Sequence, residues 1–104
     1  MRTFWRAAIM LLGAGLGSQA AAQDIGHGEY IARTWCANCH AVGAQAPTSA
    51  RDSVPAFIAV AKMKTTTASS LAAFLMTPHP NMPNFALSRQ EIRDVSAYIL
   101  SLKH

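Results

Sequence analysis

Two cysteines and a histidine lie within one short segment of the chain, Cys36-Ala37-Asn38-Cys39-His40. Two thiols separated by two residues fit on one helical turn, from which both can reach the vinyl groups on one edge of a porphyrin. The imidazole of the next residue then points at the iron from below the ring. The pattern Cys-x-x-Cys-His is therefore typical of covalent attachment of a c-type haem.

The same two cysteines would, without the histidine, fit two other kinds of site. One is a thioredoxin-like redox pair and the other is half of a zinc site. The chain has 2 cysteines, so a second pair that would complete a zinc site is absent, and the flanking sequence lacks the βαβ pattern of the redox class. We predict one haem c, bound through Cys36 and Cys39, with His40 as an iron ligand.

The first 22 residues resemble an export signal. Arg2 and Arg6 form a basic start, residues 7–17 are mostly apolar, and three alanines at 20–22 form a small-residue cleavage site. The apolar stretch is shorter than the roughly 20 residues that span a bilayer, although an uncleaved anchor is the alternative. We predict cleavage before Gln23, export to the periplasm, no stable membrane insertion afterwards, and a mature haem domain at 23–104.

The size and charge of this mature domain limit its function. A chain this short buries a modest core and usually needs a covalent or metal staple, which a haem would supply. The formal net charge is +4, and removal of Arg2 and Arg6 with the signal lowers it by two. The remaining basic residues form no stripe of the kind that nucleic-acid-binding proteins carry, so we expect no nucleic-acid partner.

Capping residues and apolar periodicity predict a first and a last helix. The first extends over about 26–36 and is capped by Asp24. The last extends over about 89–103, where Ser88 and Glu91 form a capping box. Both present an apolar face at a spacing of three to four residues, which indicates packing against a core.

The middle of the chain predicts one further main helix. Residues 41–52 are rich in Gly, Pro, Ser and Thr and indicate a loop, and 54–64 allow one or two short helical turns. The third main helix begins after Thr66 or Thr67 and continues to about Met76, before prolines at 78 and 80. Its residues expected to face the core are Leu71, Phe74 and Leu75. With three main helices and no strand, the domain is predicted to be all-α.

A second axial ligand would complete the iron site, and the chain offers several. The thioethers and imidazoles outside the haem motif are Met63, Met76, Met82, His27, His79 and His104. Met82 lies between Pro80 and Pro83, in a rigid segment that suits the presentation of a thioether from a loop. We therefore predict Met82 as the ligand.

The other candidates have simpler interpretations. We expect Met76 to fill the interior beside its helix, Met63 to lie in a surface turn, and His27 and the terminal histidine to be solvated. His79 is the competitor, because it lies three positions before Met82. With His79 bound, both axial ligands would be imidazoles and the reduction potential would be lower.

These features together resemble a known family. From about Asp24 to Lys103 the chain is similar to a class I c-type cytochrome of the short monohaem kind that bacteria export to the periplasm. The segments that carry the resemblance, besides the haem motif, are Gly26-His27-Gly28-Glu29-Tyr30, Val54-Pro55-Ala56-Phe57, Asn81-Met82-Pro83 and Asp94-Val95-Ser96-Ala97-Tyr98.

The resemblance implies a small cytochrome c fold, with three main helices and loops wrapped around one covalent haem. It implies that Met82 binds the iron opposite His40, and that the carbonyl of Pro55 accepts a hydrogen bond from Nδ1 of His40.

The resemblance also implies a helix crossing. Gly26 would allow the first and last helices to approach closely, with Tyr30 and Tyr98 packed around the contact.

In function, the resemblance implies a monomeric one-electron carrier rather than an enzyme, since filled axial positions leave no place on the iron for substrate. Its redox partners would be a periplasmic dehydrogenase, a membrane cytochrome complex or a terminal oxidase. One alternative is a tightly bound haem subunit of a periplasmic dehydrogenase that oxidises sulfite or an alcohol. Another is a sensor or peroxidase-like enzyme, in which Met82 leaves the iron and His79 serves an open distal site.

Overall fold

Four α-helices follow one another in the computed structural model, which describes residue 13 and residues 22–45 and 54–104. Helix α1 spans Ile25–Trp35, α2 Phe57–Lys62, α3 Ala68–Met76 and α4 Arg89–Ser101, and a 3-10 turn at Cys36–Asn38 follows α1 directly. Within these described ranges no strand is formed, so the all-α prediction is confirmed. The predicted signal, apart from residues 13 and 22, and most of the predicted loop lie outside the described residues.

The predicted caps begin α1 and α4. The Oδ1 atom of Asp24 accepts a hydrogen bond of 2.9 Å from the backbone N–H of His27. At α4 the Ser88 hydroxyl accepts from the N–H of Glu91, and the Glu91 carboxylate accepts in return from the N–H of Ser88. Each cap satisfies amide donors that the first turn leaves unpaired.

Helix α3 begins after Thr67, whose hydroxyl accepts from the N–H of Ser70 at 3.0 Å. The Ser70 hydroxyl lies 2.8 Å from the N–H of Thr67 and accepts from it. This is a capping box in which serine replaces the usual Glu or Gln, and it decides between the two threonines that the sequence left open.

Two predictions for the far end of α3 are wrong. Leu71 is buried, but Phe74 is 44% exposed and Met76 is 61% exposed. Met76 lies five residues from Leu71, about 140° around the helix, and so turns away from the face that packs on α4. The ring of Phe74 contacts His79 rather than the core.

Helix α4 packs against each of the other three α-helices and forms the centre of the fold. In the described part of the chain, no helix has the length and apolar composition needed to cross a bilayer. The residues of the buried cluster are Ile31, Ala32, Cys36, Val42, Phe57, Ala61, Leu71, Val95, Tyr98, Ile99 and Leu102.

Gly28, and not Gly26, allows α1 and α4 to cross closely. A Cβ atom at position 28 would collide with the carbonyl oxygen of Asp94, whereas one at position 26 would meet nothing nearer than Oδ1 of Asp24 at 3.5 Å. The two glycines are separated by about 200° around the helix, so only one of them can face α4. The prediction for Gly26 is therefore wrong.

The two tyrosines expected at the crossing also differ. Tyr98 is buried, and its hydroxyl donates a hydrogen bond of 2.6 Å to the carbonyl of Val42. Tyr30 is 64% exposed, contrary to prediction, because it lies two residues after Gly28 and so on the opposite side of α1. The hydrogen bond of Tyr98 ties α4 to the segment that follows the haem motif.

A buried carboxylate joins α1 and α4 beside Gly28. Asp94 is 1% exposed, and its oxygens accept hydrogen bonds from the Asp24 N–H at 2.9 Å, Nε2 of Gln90 at 2.7 Å and Nδ1 of His27 at 2.8 Å. His27 is therefore paired rather than simply solvated as predicted. Sequence periodicity gave no sign of this pair, because its members are 67 residues apart.

The pair changes the pKa of both partners. The hydrogen bond to Asp94 raises the pKa of His27 above its ordinary value. Burial opposes ionisation of Asp94, but the hydrogen bonds from Asp24, His27 and Gln90 outweigh burial and lower its pKa. Both shifts favour the form in which an imidazolium faces a carboxylate.

Gly28→Ala should destabilise the protein, because the added methyl group requires α1 and α4 to separate. Overpacking of this kind costs about 1–3 kcal/mol, and here it opposes the gain of about 1 kcal/mol that alanine normally gives within a helix. Urea unfolding of the purified protein measures the difference. Gly26→Ala is the matched control and should be as stable as the wild type or slightly more so. Equal stability of the two variants would contradict the assigned crossing.

His27→Gln should remove a pH-dependent contribution to stability. A raised pKa in the folded state means that the His27 contribution is full below its unfolded pKa of about 6.5 and is lost as pH rises through the higher folded value. Asp94 must remain ionised, and because its pKa is lowered in the folded protein this condition holds at every pH above the ordinary aspartate pKa of about 3.9. The free energy of unfolding should therefore differ most between wild type and variant at about pH 5 and least in alkaline solution.

The measurement for this variant is urea unfolding at a series of pH values. Glutamine can still donate to Asp94 but does not titrate. The variant should therefore differ from the wild type in how its free energy of unfolding changes with pH. Asp24 and Glu91 also act on His27 through their charge, and both are unchanged in the variant. If the difference in the free energy of unfolding between the two proteins grew with rising pH, the prediction would be contradicted.

Candidate haem site

The haem motif folds into a tight turn at the end of α1. The N–H of Cys36 donates to the carbonyl of Ala32 and so continues the helix by one residue. The carbonyl of Cys36 then accepts from the N–H of Cys39 at 3.1 Å and from the N–H of His40 at 2.8 Å. Two amides on one carbonyl hold both cysteines and the histidine on a single turn.

Both thiols in this turn are free, with Cys36 buried and Cys39 exposed. Burial raises the pKa of the Cys36 thiol, so it remains protonated near neutral pH. Addition of a thiol to a vinyl group needs an unoxidised sulfur, and each cysteine meets that requirement. Cys36 lies against the core and Cys39 lies at the surface, so the two thiols differ in their access to solvent.

The imidazole of His40 is oriented by the chain segment before α2. Its Nδ1 atom lies 2.7 Å from the carbonyl oxygen of Pro55, the hydrogen bond that the family resemblance implies. Donation from Nδ1 leaves the lone pair of Nε2 available for a metal ion. The Phe57 N–H donates to the carbonyl of Ala41 at 2.9 Å, which holds the proline segment against the motif.

Phe57 also contacts the imidazole directly. The ring centroids of His40 and Phe57 are 5.3 Å apart with planes tilted by 46°. This contact was not predicted from the sequence, although an aromatic residue two positions after the proline was a visible signal. The hydrogen bond and the aromatic contact together restrict rotation of the imidazole.

Met82 lies in a separate turn between α3 and α4. Its N–H donates to the carbonyl of His79 at 3.4 Å, and the two residues form an isolated antiparallel bridge. Asn81 closes this turn with a φ of 65°, a left-handed conformation that asparagine adopts more readily than most residues. The thioether is half-buried.

A surface hollow surrounds Met82. It is lined by the end of α3 and by the segment that precedes α4, with the residues Phe74, Leu75, Thr77, Pro78, His79, Met82, Pro83, Asn84, Phe85 and Leu87. The structure thus brings Cys36, Cys39, His40 and Pro55 together, whereas Met82 belongs to this second group. His79 lies in the same hollow, with its ring stacked on Phe74.

The residues present fit a covalently bound haem. Two free thiols and an imidazole with one occupied nitrogen are the groups that such a cofactor requires, and Trp35 directly before the motif adds apolar surface. The rings of Trp35 and Phe85 are in contact with centroids 5.8 Å apart, yet both remain partly exposed. A flat apolar group is suited to cover such surface. In the described ranges no cluster of three or more His, Cys, Asp or Glu side chains could hold a metal ion by itself.

Comparison with known proteins gives two matches. The family described as cytochrome c oxidase, cbb3-type, subunit III matches residues 23–99. Over 95 residues the chain is 47% identical to cytochrome c-552 of Bradyrhizobium diazoefficiens, and the alignment covers 91% of this chain and 90% of that protein. No solved structure was found to match the chain.

Proposed function

Because this chain belongs to the class I c-type cytochromes, we propose that it is a periplasmic one-electron carrier whose haem iron is held between His40 and Met82. Members of this family are electron-transfer proteins rather than enzymes, and they carry a covalently bound haem c, which the two cysteines of the motif fit. When bound, the haem supplies an iron that alternates between the ferrous and ferric states.

The observation that carries the proposal is the hydrogen bond of 2.7 Å between Nδ1 of His40 and the carbonyl of Pro55. A carbonyl acceptor fixes the tautomer, holds Nε2 free for iron, and makes the imidazole a stronger electron donor. The same orientation would be of little use to an exposed histidine that binds nothing. We therefore assign His40 as the proximal ligand and Pro55 as the residue that positions it.

Cys36 and Cys39 would hold the porphyrin edge above this imidazole. Their backbone is fixed by the shared carbonyl of Cys36, so the two sulfurs and His40 move as one unit. A rigid attachment limits the change in iron geometry between oxidation states, which favours rapid transfer of an electron. In this role the cysteines bind and orient the haem and take no part in the redox step.

The assignment of Met82 as distal ligand is supported by its turn. The bridge to His79 and the left-handed Asn81 fix the backbone, and Met82 is half-buried in a hollow lined mostly by apolar residues. A thioether favours ferrous iron and raises the reduction potential. With both axial positions occupied, the iron would exchange electrons without binding a substrate.

Partner docking would take place where the haem edge meets the surface. Ala37, Asn81 and Pro83 are all exposed, and they flank the two segments that would enclose the haem. A carrier needs a contact that releases quickly, which places the interface below about 1,200 Å². The matched family is described by an oxidase subunit, so a terminal oxidase is one proposed partner, beside a periplasmic dehydrogenase or a membrane cytochrome complex.

Export follows from the first 22 residues, which we propose to be a cleaved signal. The family match begins at residue 23, the residue expected to follow cleavage, and this agreement supports a mature haem domain at 23–104.

Met82→Ala should abolish the weak red absorption band that ferric iron shows when bound to a thioether, because no other sulfur would replace the lost ligand. The reduced variant should also bind carbon monoxide at neutral pH. Met76→Ala and Met63→Ala are matched controls, since both side chains are exposed and both variants should keep the band. Persistence of the band in Met82→Ala would exclude Met82, and its loss in either control would indicate a different sulfur.

A further inference from the structure

The turn that carries Met82 contains a second side chain of a type that binds iron strongly, the imidazole of His79. His79 and Met82 are bridge partners in an antiparallel pair, and side chains of such partners project on the same face. Both also line the same hollow. An imidazole and a thioether of one turn therefore face the same side. The inference drawn from this rests on the proposed function, under which the two side chains compete for the iron.

The imidazole of His79 is already engaged by another side chain. Its ring stacks on that of Phe74 with centroids 3.7 Å apart and planes inclined by 29°. Phe74 is 44% exposed, so burial in the core does not account for a large aromatic residue at this position. The aromatic contact that it makes at this exposed position is the stack on His79.

We propose that Phe74 is a positioning residue that selects the axial ligand, because it holds the His79 imidazole against α3 and leaves the iron to the thioether of Met82. Helix α3 is a rigid support for this role, since Thr67 caps its first turn and buried Leu71 anchors it on α4. The ring of Phe74 therefore retains His79 at a fixed place. Without that ring, the same turn offers both ligands.

The selection has a functional consequence. Two imidazoles on the iron give a lower reduction potential than one imidazole and one thioether. A protein in which His79 displaced Met82 would therefore be a poorer acceptor for its reductant. Phe74 would keep the potential high without touching the iron.

Phe74→Ala tests the proposal on the haem-loaded protein. Low-temperature electron paramagnetic resonance of the ferric form separates haem with two imidazole ligands from haem with imidazole and thioether. Loss of an aromatic stack should raise the ratio of His79-bound to Met82-bound iron by roughly two- to tenfold. The red thioether band should weaken as the signal of the bis-imidazole form grows, and the two changes should account for the same fraction of the iron.

The double variant Phe74→Ala/His79→Ala distinguishes selection from simple packing. If Phe74 acts through His79, removal of the imidazole should restore the thioether band and eliminate the second resonance signal. If the double variant has the same weakened band as Phe74→Ala, Phe74 supports Met82 by packing alone and the proposal is overturned. Unchanged spectra in Phe74→Ala overturn it equally.

Two further variants keep the test decisive. Phe85→Ala is the matched control, because Phe85 lines the same hollow but pairs with Trp35. This variant should show no bis-imidazole signal. Such a signal would contradict a specific role for Phe74. Phe74→Leu keeps apolar bulk without a stacking ring and replaces Phe74→Ala if that variant fails to accumulate. A wild-type protein without the thioether band would instead contradict the proposed function, and this inference with it.

Discussion

The close approach of α1 and α4 at Gly28 is the contact on which the rest of the structure depends. Helix α1 ends in the haem motif, and α4 contacts every other helix, so their crossing fixes where the cysteines lie relative to the core. The absence of a side chain at Gly28 lets the backbones meet, and the buried carboxylate of Asp94 binds the start of α1 at the same place. The haem motif is thus placed by a contact two helical turns before it.

Two hydrogen bonds extend this arrangement from the crossing to the proposed iron site. The Tyr98 hydroxyl holds the carbonyl of Val42 just after the motif, and the Pro55 carbonyl orients His40. Each joins a side chain to a backbone carbonyl that is distant in sequence, so Val42 and Pro55 are held in place without strand pairing. A small domain that lacks a large core gains from the haem and from such ties the rigidity that electron transfer needs.

The elements and the cofactor were predictable because their signals are local. Asp24, Ser88 and Glu91 cap the helices within three residues of themselves, and the haem motif is a single pentapeptide. The errors concern direction around a helix or pairing between distant residues. Gly26 and Gly28 are indistinguishable until α4 is in place, and the pairs of His27 with Asp94 and of Phe74 with His79 depend on how the helices and the distal turn meet.

Mass spectrometry of the exported protein tests the central claim that the haem is bound covalently to the turn at the end of α1. Trypsin should release residues 34–51, the stretch between Arg33 and Arg51 that contains both cysteines. We predict that this peptide is heavier by the mass of one haem and has no thiol that reacts with an alkylating reagent. A peptide of unmodified mass with two alkylated cysteines, from protein that is correctly exported and folded, would contradict the claim.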